Sequence, residues 1–354
     1  MKNIVVCFDS TSDRPGPRDA TNVETLFRLL DASDYDRQIT WYDAGEAALR
    51  SARLVNPAAR HWRRCVAAAA RAAVVDAYRF LSEHWLPEDR IFLLGGGRGG
   101  HCARTLARML GSVGLLGDRD DNVVEYALSA YPLPAVERTP RDWRQVHRLF
   151  TALSGNREIA VPVHFLGLWD TVRVPGAQRF STAEPLPNVV AGRHAVAIDG
   201  GCGPFAECRV GERDERIEEA WFRGAHCDIV GGPNAYWPLA DIALDWILDG
   251  IVSAGGVLRA SGRRPPAPTE ADALAEGARS VHMRRLPRDA HVHASVEVYL
   301  RAHPDYWRRL PARIVWTDPD WAARAERLVR APIATRTPTE DPRAESDGLA
   351  AIAS

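Results

Sequence analysis

Lysine is nearly absent from this chain: Lys2 is the only one in 354 residues, so almost all positive charge is arginine. The arginines are scattered among acids and the formal net charge is -1, which leaves no global field to steer nucleic acid or an anionic membrane. The arginine usage reads as a bias of the source genome rather than as a binding surface. No stretch reaches the ~18 unbroken apolar residues that a membrane span requires. The start, Met1 to Phe8, lacks the charged region, apolar core and cleavage site of a signal peptide, so the expected location is cytoplasmic, or secreted without a signal peptide. The six cysteines stand singly, mostly in apolar segments, and are expected as buried free thiols rather than a disulfide framework. Cys202 and Cys208 are too far apart for a zinc knuckle. Asp9, Asp170, His226 and Asp228 have the right chemistry for a cation, but no ligand spacing calls for one, so neither metal nor cofactor is expected. No internal repeat is present.

Composition is otherwise ordinary, 46% apolar and 26% charged, enough for a large core. The stretch that organises it is Ile91 to Arg104. Ile91 to Leu94 suits a short central parallel strand, and His101 to Gly111 carries apolar residues at helical spacing. Between them runs Gly95-Gly-Gly-Arg-Gly-Gly100, and Gly95, Gly97 and Gly99 fall on the three named positions of Gly-x-Ser-x-Gly, the nucleophile elbow of α/β-hydrolases. The serine is missing. Glycine at position 97 accepts the turn without strain and offers no atom to attack a carbonyl. As a phosphate cradle the run is unspecific, because it has no Walker lysine.

Around this junction, strands and helices alternate. Asn3 to Phe8 is a strand leading into the polar Asp9-Ser-Thr-Ser-Asp13, and Thr21 caps a helix to Leu30. Gln38 to Tyr42 is a second strand, and residues 57–85 form one long helix or two. Ile159 to Leu168 is another strand, ending in Trp169-Asp-Thr-Val172. Residues 173–193 read as a loop, and His194 to Ile198 as a helix start or an edge element. Glu219 to Arg223 is a strand before Gly224-Ala-His-Cys-Asp228, and Pro238 to Ser253 is a helix. Such βαβ alternation predicts a doubly wound, mainly parallel sheet with helices on both faces, and the likeness of the glycine run to the elbow pattern makes the expected α/β fold α/β-hydrolase-like. The expected domain spans 1–331, with insertions at 118–157 (holding a helix from Pro140 to Ser154) and at 261–279. Residues 332–354 are expected as a disordered tail.

Several segments occur together in a recognisable order: Val5 to Thr11, Thr21 to Leu26, Trp41 to Gly45, Ala77 to Leu81, the glycine elbow, Phe165 to Val172, Trp221 to Asp228 with Gly231-Gly232, and His293 to Val296. In this order they resemble domain of unknown function family 2235, which includes the catalytic domains of type VI secretion phospholipase effectors. The resemblance covers most of residues 1–315 and implies a serine lipase or esterase with a Ser-Asp-His triad. Departures fall where the chemistry would occur. The family's Gly-Phe-Ser-Arg-Gly-Ala reads Gly95-Gly-Gly-Arg-Gly-Gly100, and its Asp-Gly-Thr reads Asp9-Ser-Thr11.

Asp170 is the candidate acid and His226 the candidate base, both at strand ends; His293, late in the chain, is the runner-up base. His194 and His101 are weaker. Gly97 marks the degenerate nucleophile position. Asp9, Ser10, Thr11, Gly96 and Arg98 are candidates for ligand or oxyanion contacts. Three functions follow. The favoured one is a pseudoenzyme that keeps a pocket for an acyl- or lipid-like molecule or for a protein partner. A second is an enzyme using Asp170 and His226 as general acid and base, in hydrolysis or other chemistry. In a third, Ser10, Ser12 or Cys102 is recruited as nucleophile.

Overall fold

The computed structural model describes residues 1–9, 20–45, 60–115, 160–177, 186–201, 207, 209–210, 215–233, 235–260, 267–277 and 284–323, with isolated positions between 139 and 151. Eight strands form one sheet: β1 (Asn3–Phe8), β2 (Gln38–Asp43), β3 (Arg90–Gly96), β4 (Val163–Trp169), β5 (Val189–Ala197), β6 (Ile217–Phe222), β7 (Ala290–His293) and β8 (Ile314–Thr317). Their order is β2-β1-β3-β4-β5-β6-β7-β8, and every neighbouring pair is parallel. The fold is α/β, hydrolase-like. The strand order reverses between β1 and β3, and the carboxyl ends at such a reversal form the crevice where open α/β sheets place ligands. Asp9 and Gly97 lie at those two ends.

Period-two alternation assigns each strand residue to a layer. From β1, Ile4, Val6 and Phe8 pack with Val66, Val74 and Leu81 of α2 (Arg60–His84) and with Leu106 and Leu110 of α3 (Arg98–Ser112). Val5 and Cys7 face the opposite layer, with Val23 and Leu26 of α1 (Asn22–Leu29). Thr21 caps α1 as its spacing predicts, its side chain accepting the Glu24 N–H at 3.0 Å. The segment at 57–85 is one helix over its described part, α2.

One expectation is corrected. Residues 189–197 are neither loop, helix start nor edge but β5, inside the sheet between β4 and β6. Arg193 and His194 interrupt the apolar pattern that marks a buried strand, and both have partners that make their burial tolerable. Arg193 meets Glu218 and Asp249 and lies over the Trp246 ring, whereas His194 meets Glu219.

After β6 come α4 (His226–Val230) and α5 (Trp237–Ser253). Within the expected excursion at 261–279, the described part holds α6 (Glu270–Ala273), which packs on α5, and Arg223 Nη2 donates to the carbonyls of Ala273 (2.9 Å) and Ala275. The tail from 332 and nearly all of 118–157, including most of the expected helix there, lie outside the described residues. Among the described residues no helix is long and apolar enough to cross a membrane.

Candidate functional site

At the junction of β3 and α3, Gly97 adopts φ 53 and ψ -114, a positive-φ turn disfavoured for side chains. Its flanking glycines allow the chain to pass closely. A Cβ on Gly95 would sit 2.5 Å from the Gly99 carbonyl oxygen, and one on Gly99 would sit 2.1 Å from that of Phe8. The two other departures from the resembled pattern are also closed off by packing. A Cβ on Gly96 would lie 3.1 Å from both Val23 Cγ2 and Val230 Cγ1, and one on Gly100 would lie 2.4 Å from Thr171 Oγ1. A side chain at position 96 or 100 would require these neighbours to shift.

Asp170 follows β4 at φ 38, a positive value that a non-glycine residue holds only when its surroundings enforce it. Its N–H donates to Ala195 O at 2.7 Å, the Thr171 N–H donates to His194 Nε2 at 3.2 Å, and the Val172 N–H donates to Gly97 O at 3.1 Å. This turn aims the carboxylate at the start of α4, where His226 Nδ1 lies 2.6 Å from Asp170 Oδ2. An ionised carboxylate only accepts, so Nδ1 carries the proton, and any proton exchanged with a ligand passes through Nε2.

The fully buried Asp170 has further donors. Ala197 N–H meets Oδ1 at 2.9 Å, while Arg284 Nη1 donates to Oδ1 and Nη2 to Oδ2 at 3.0 Å. Burial by itself raises the pKa of such an acid. The charge of Arg284 and the His226 hydrogen bond outweigh it, and Asp170 is held well below the usual carboxylate range.

The other candidates are placed as follows. Asp9 accepts from Thr21 Oγ1 and from Tyr42 OH (2.7 Å), and its own N–H donates to Asp43 O at 2.8 Å; Ser10, Thr11 and Ser12 lie outside the described residues. Arg98 opens α3, where backbone N–H groups point out of the helix end, and burial lowers its guanidinium pKa. With Asp9, Asp43 and Cys102 it lines a cavity of about 150 Å³, walled on the other side by alanines of α2.

His293 is engaged by groups other than Asp170. It stacks on Phe222 with centroids 4.4 Å apart, and its ring nitrogens meet Ser295 Oγ at 2.8 Å and Asp318 Oδ2 at 3.2 Å. His194 is buried on Glu219, and His101 is held neutral, down to about 3, by burial and by Arg104 and Arg108. Asp228 accepts the N–H groups of Ala225 (2.8 Å) and Tyr236 (3.0 Å), so it builds the loop that carries His226. No group of three or more His, Cys, Asp or Glu is arranged to hold a metal among the described residues.

Arg284 was not legible in the sequence. It follows a polar excursion, in no element and no motif, and only folding brings it 114 positions back along the chain to Asp170. Glu207, which pairs with its Nε at 3.2 Å, was missed for the same reason.

Residues 2–250 match the family model for the type VI secretion phospholipase effector Tle1-like catalytic domain. An uncharacterized protein of Saccharomyces cerevisiae is 30% identical over 219 residues, which cover 58% of this chain and 32% of that protein. The chain thus spans about a third of the length of that relative. Two solved structures resemble it at 16% identity. An uncharacterized protein from Pseudomonas aeruginosa matches 73% of this chain and 46% of its own, with a TM-score of 0.41. The Tle1 effector bound to the VgrG spike of the type 6 secretion system matches 65% and 50%, with a TM-score of 0.38.

Proposed function

Because the chain belongs to the Tle1-like phospholipase effector catalytic-domain family, we propose that it is a lipase-type site from which the nucleophile has been lost while acid and base remain. On this reading it binds an acyl- or phospholipid-like ester and does not form an acyl-enzyme. The observation that carries the reading is the contrast at one site: a glycine at the elbow, φ 53, beside an Asp170–His226 pair at 2.6 Å. Loss of a triad nucleophile removes about 10⁶ in turnover, and oxyanion donors with binding retain only ~10³–10⁴ over water. The cavity beside Arg98, about 150 Å³, is of the size that holds a benzene ring, which favours an ester with a short or shallowly inserted acyl arm.

The retained pair supports a second reading, in which His226 acts as base toward a bound water. One experiment separates the two. Hydrolysis of short- and long-chain acyl esters and of phospholipid vesicles is measured for the parent, His226→Gln, Gly97→Ser, and Gly97→Ser with His226→Gln. The first reading expects a silent parent, a gain of about 10²-fold or more in Gly97→Ser, and loss of that gain in the double variant. Parental turnover that His226→Gln abolishes would establish the second. If Gly97→Ser folds and gains nothing, the lipase-type reading is wrong.

A further inference from the structure

The Asp170 carboxylate faces two partners of different kinds. On one side stands the His226 imidazole; on the other stands the permanently charged guanidinium of Arg284, donating from Nη1 and Nη2 to both oxygens. Arg284 reaches this place through a gap left for it. A Cβ on Gly200 would sit 2.2 Å from the Arg284 Cζ, so any side chain there would collide with the guanidinium. Once inside, Arg284 is 6% exposed, its Nη1 also donates to Ala197 O at 3.2 Å, and its Nε pairs with Glu207 at 3.2 Å.

We propose that Arg284 is a positioning residue that enters through the gap at Gly200, fixes the Asp170 carboxylate, and shares its charge with His226, thereby setting how strongly His226 holds a proton. A carboxylate with one histidine partner lends its whole charge to the imidazolium. Here the guanidinium already compensates that charge, in a buried setting where charges are weakly screened. The imidazolium is therefore less favoured than in an acid-histidine pair alone. Glu207 acts in the opposite sense, drawing Arg284 partly away.

Two further titratable groups lie beside His226 on α4. Cys227 stays a neutral thiol, pushed up to about 11 by burial and then by Asp228, and the Asp228 carboxylate is engaged by Ala225 and Tyr236. The inference concerns the pair itself and holds whichever ester, or none, occupies the crevice.

The test is a titration of the His226 ring by long-range ¹H–¹⁵N NMR, its signals assigned by their absence in His226→Gln. Parent, Arg284→Gln and Glu207→Gln are compared on the full chain. Arg284→Gln is expected to raise the His226 midpoint by about one pH unit, a tenfold gain in proton affinity. Glu207→Gln, at a partly exposed position, is expected to lower it by a few tenths. An unchanged midpoint in folded Arg284→Gln overturns the proposal. Should that variant not fold, an unchanged or raised midpoint in Glu207→Gln overturns it instead. In an Asp170→Asn background the response to Arg284→Gln is expected to shrink at least threefold. A response of full size there means the guanidinium acts directly on the ring, and the shared carboxylate is refuted.

Discussion

The Gly97 N–H donates to the Trp169 carbonyl across 2.8 Å, carrying the β3–β4 pairing one residue past the end of β3. Val172 returns the contact by donating to Gly97 O at 3.1 Å. The elbow and the turn bearing Asp170 are thereby one backbone unit. Position 97 and Asp170 are registered to each other by main-chain bonds that use no side-chain atom of residue 97.

The close approach of α3 to β1 depends on Gly99. Its added methyl would meet Phe8 O at 2.1 Å, a backbone atom that cannot rotate away. Gly99→Ala is expected to destabilise the fold by about 2–3 kcal/mol, read as a lower urea midpoint at unchanged slope. A midpoint equal to the parent's would show that the helix start is free to shift.

Asp241 on α5 is a carboxyl pushed up to about 7, first by burial and then by Asp272 and Asp245. A raised acid keeps its proton in the folded chain over a range where the unfolded chain, with a carboxyl near ~4, has lost it. The contribution of Asp241 to stability is therefore full below about pH 4 and declines as pH rises toward 7. Asp241→Asn is expected to be near neutral at pH 4 and stabilising by about 1–2 kcal/mol at pH 8. Denaturation at both values checks it, and an equal effect at both would remove titration as the cause.

Cys102 lies on the buried face of α3, its Sγ 3.8 Å from Ala70 O, and burial followed by Asp43 drives its thiol far above the usual range. Iodoacetamide at pH 8, read by peptide mass spectrometry, is expected to leave Cys102 unmodified in the native protein and to label it in denaturant. Rapid native labelling would revive it as a recruited nucleophile.

The elements that sequence made legible are those whose signals are local. The buried run Ile91 to Leu94, the cap at Thr21 and the 3.6-residue spacing of α2 each lie within one segment, and each forms as expected. β5 was misread because Arg193 and His194 look like loop residues until Glu218, Asp249 and Glu219 are brought beside them. Among the candidate histidines, the sequence ranks His226 first, at a strand end, and His293 second, for its place late in the chain; what it could not show is their partners, Asp170 for one and Phe222, Ser295 and Asp318 for the other.

By itself, the sequence determined that position 97 carries no nucleophile, that strands and helices alternate into a parallel sheet, and that polar residues collect at strand ends. Those facts follow from side-chain identity and from periodicity, which neighbouring residues carry between them. Only the tertiary structure decided that Asp170 is shared by His226 and Arg284, that the Arg284 guanidinium packs over the bare Gly200, and that Gly96 and Gly100 are hemmed in by Val23, Val230 and Thr171. These contacts join positions from 56 (Asp170–His226) to 134 (Gly96–Val230) apart in sequence, and all but the first are more than 70 apart. A sequence pattern has no term for them, because they exist only when burial brings distant chain into one low-dielectric space, where a charge or an added methyl must be matched by its neighbours.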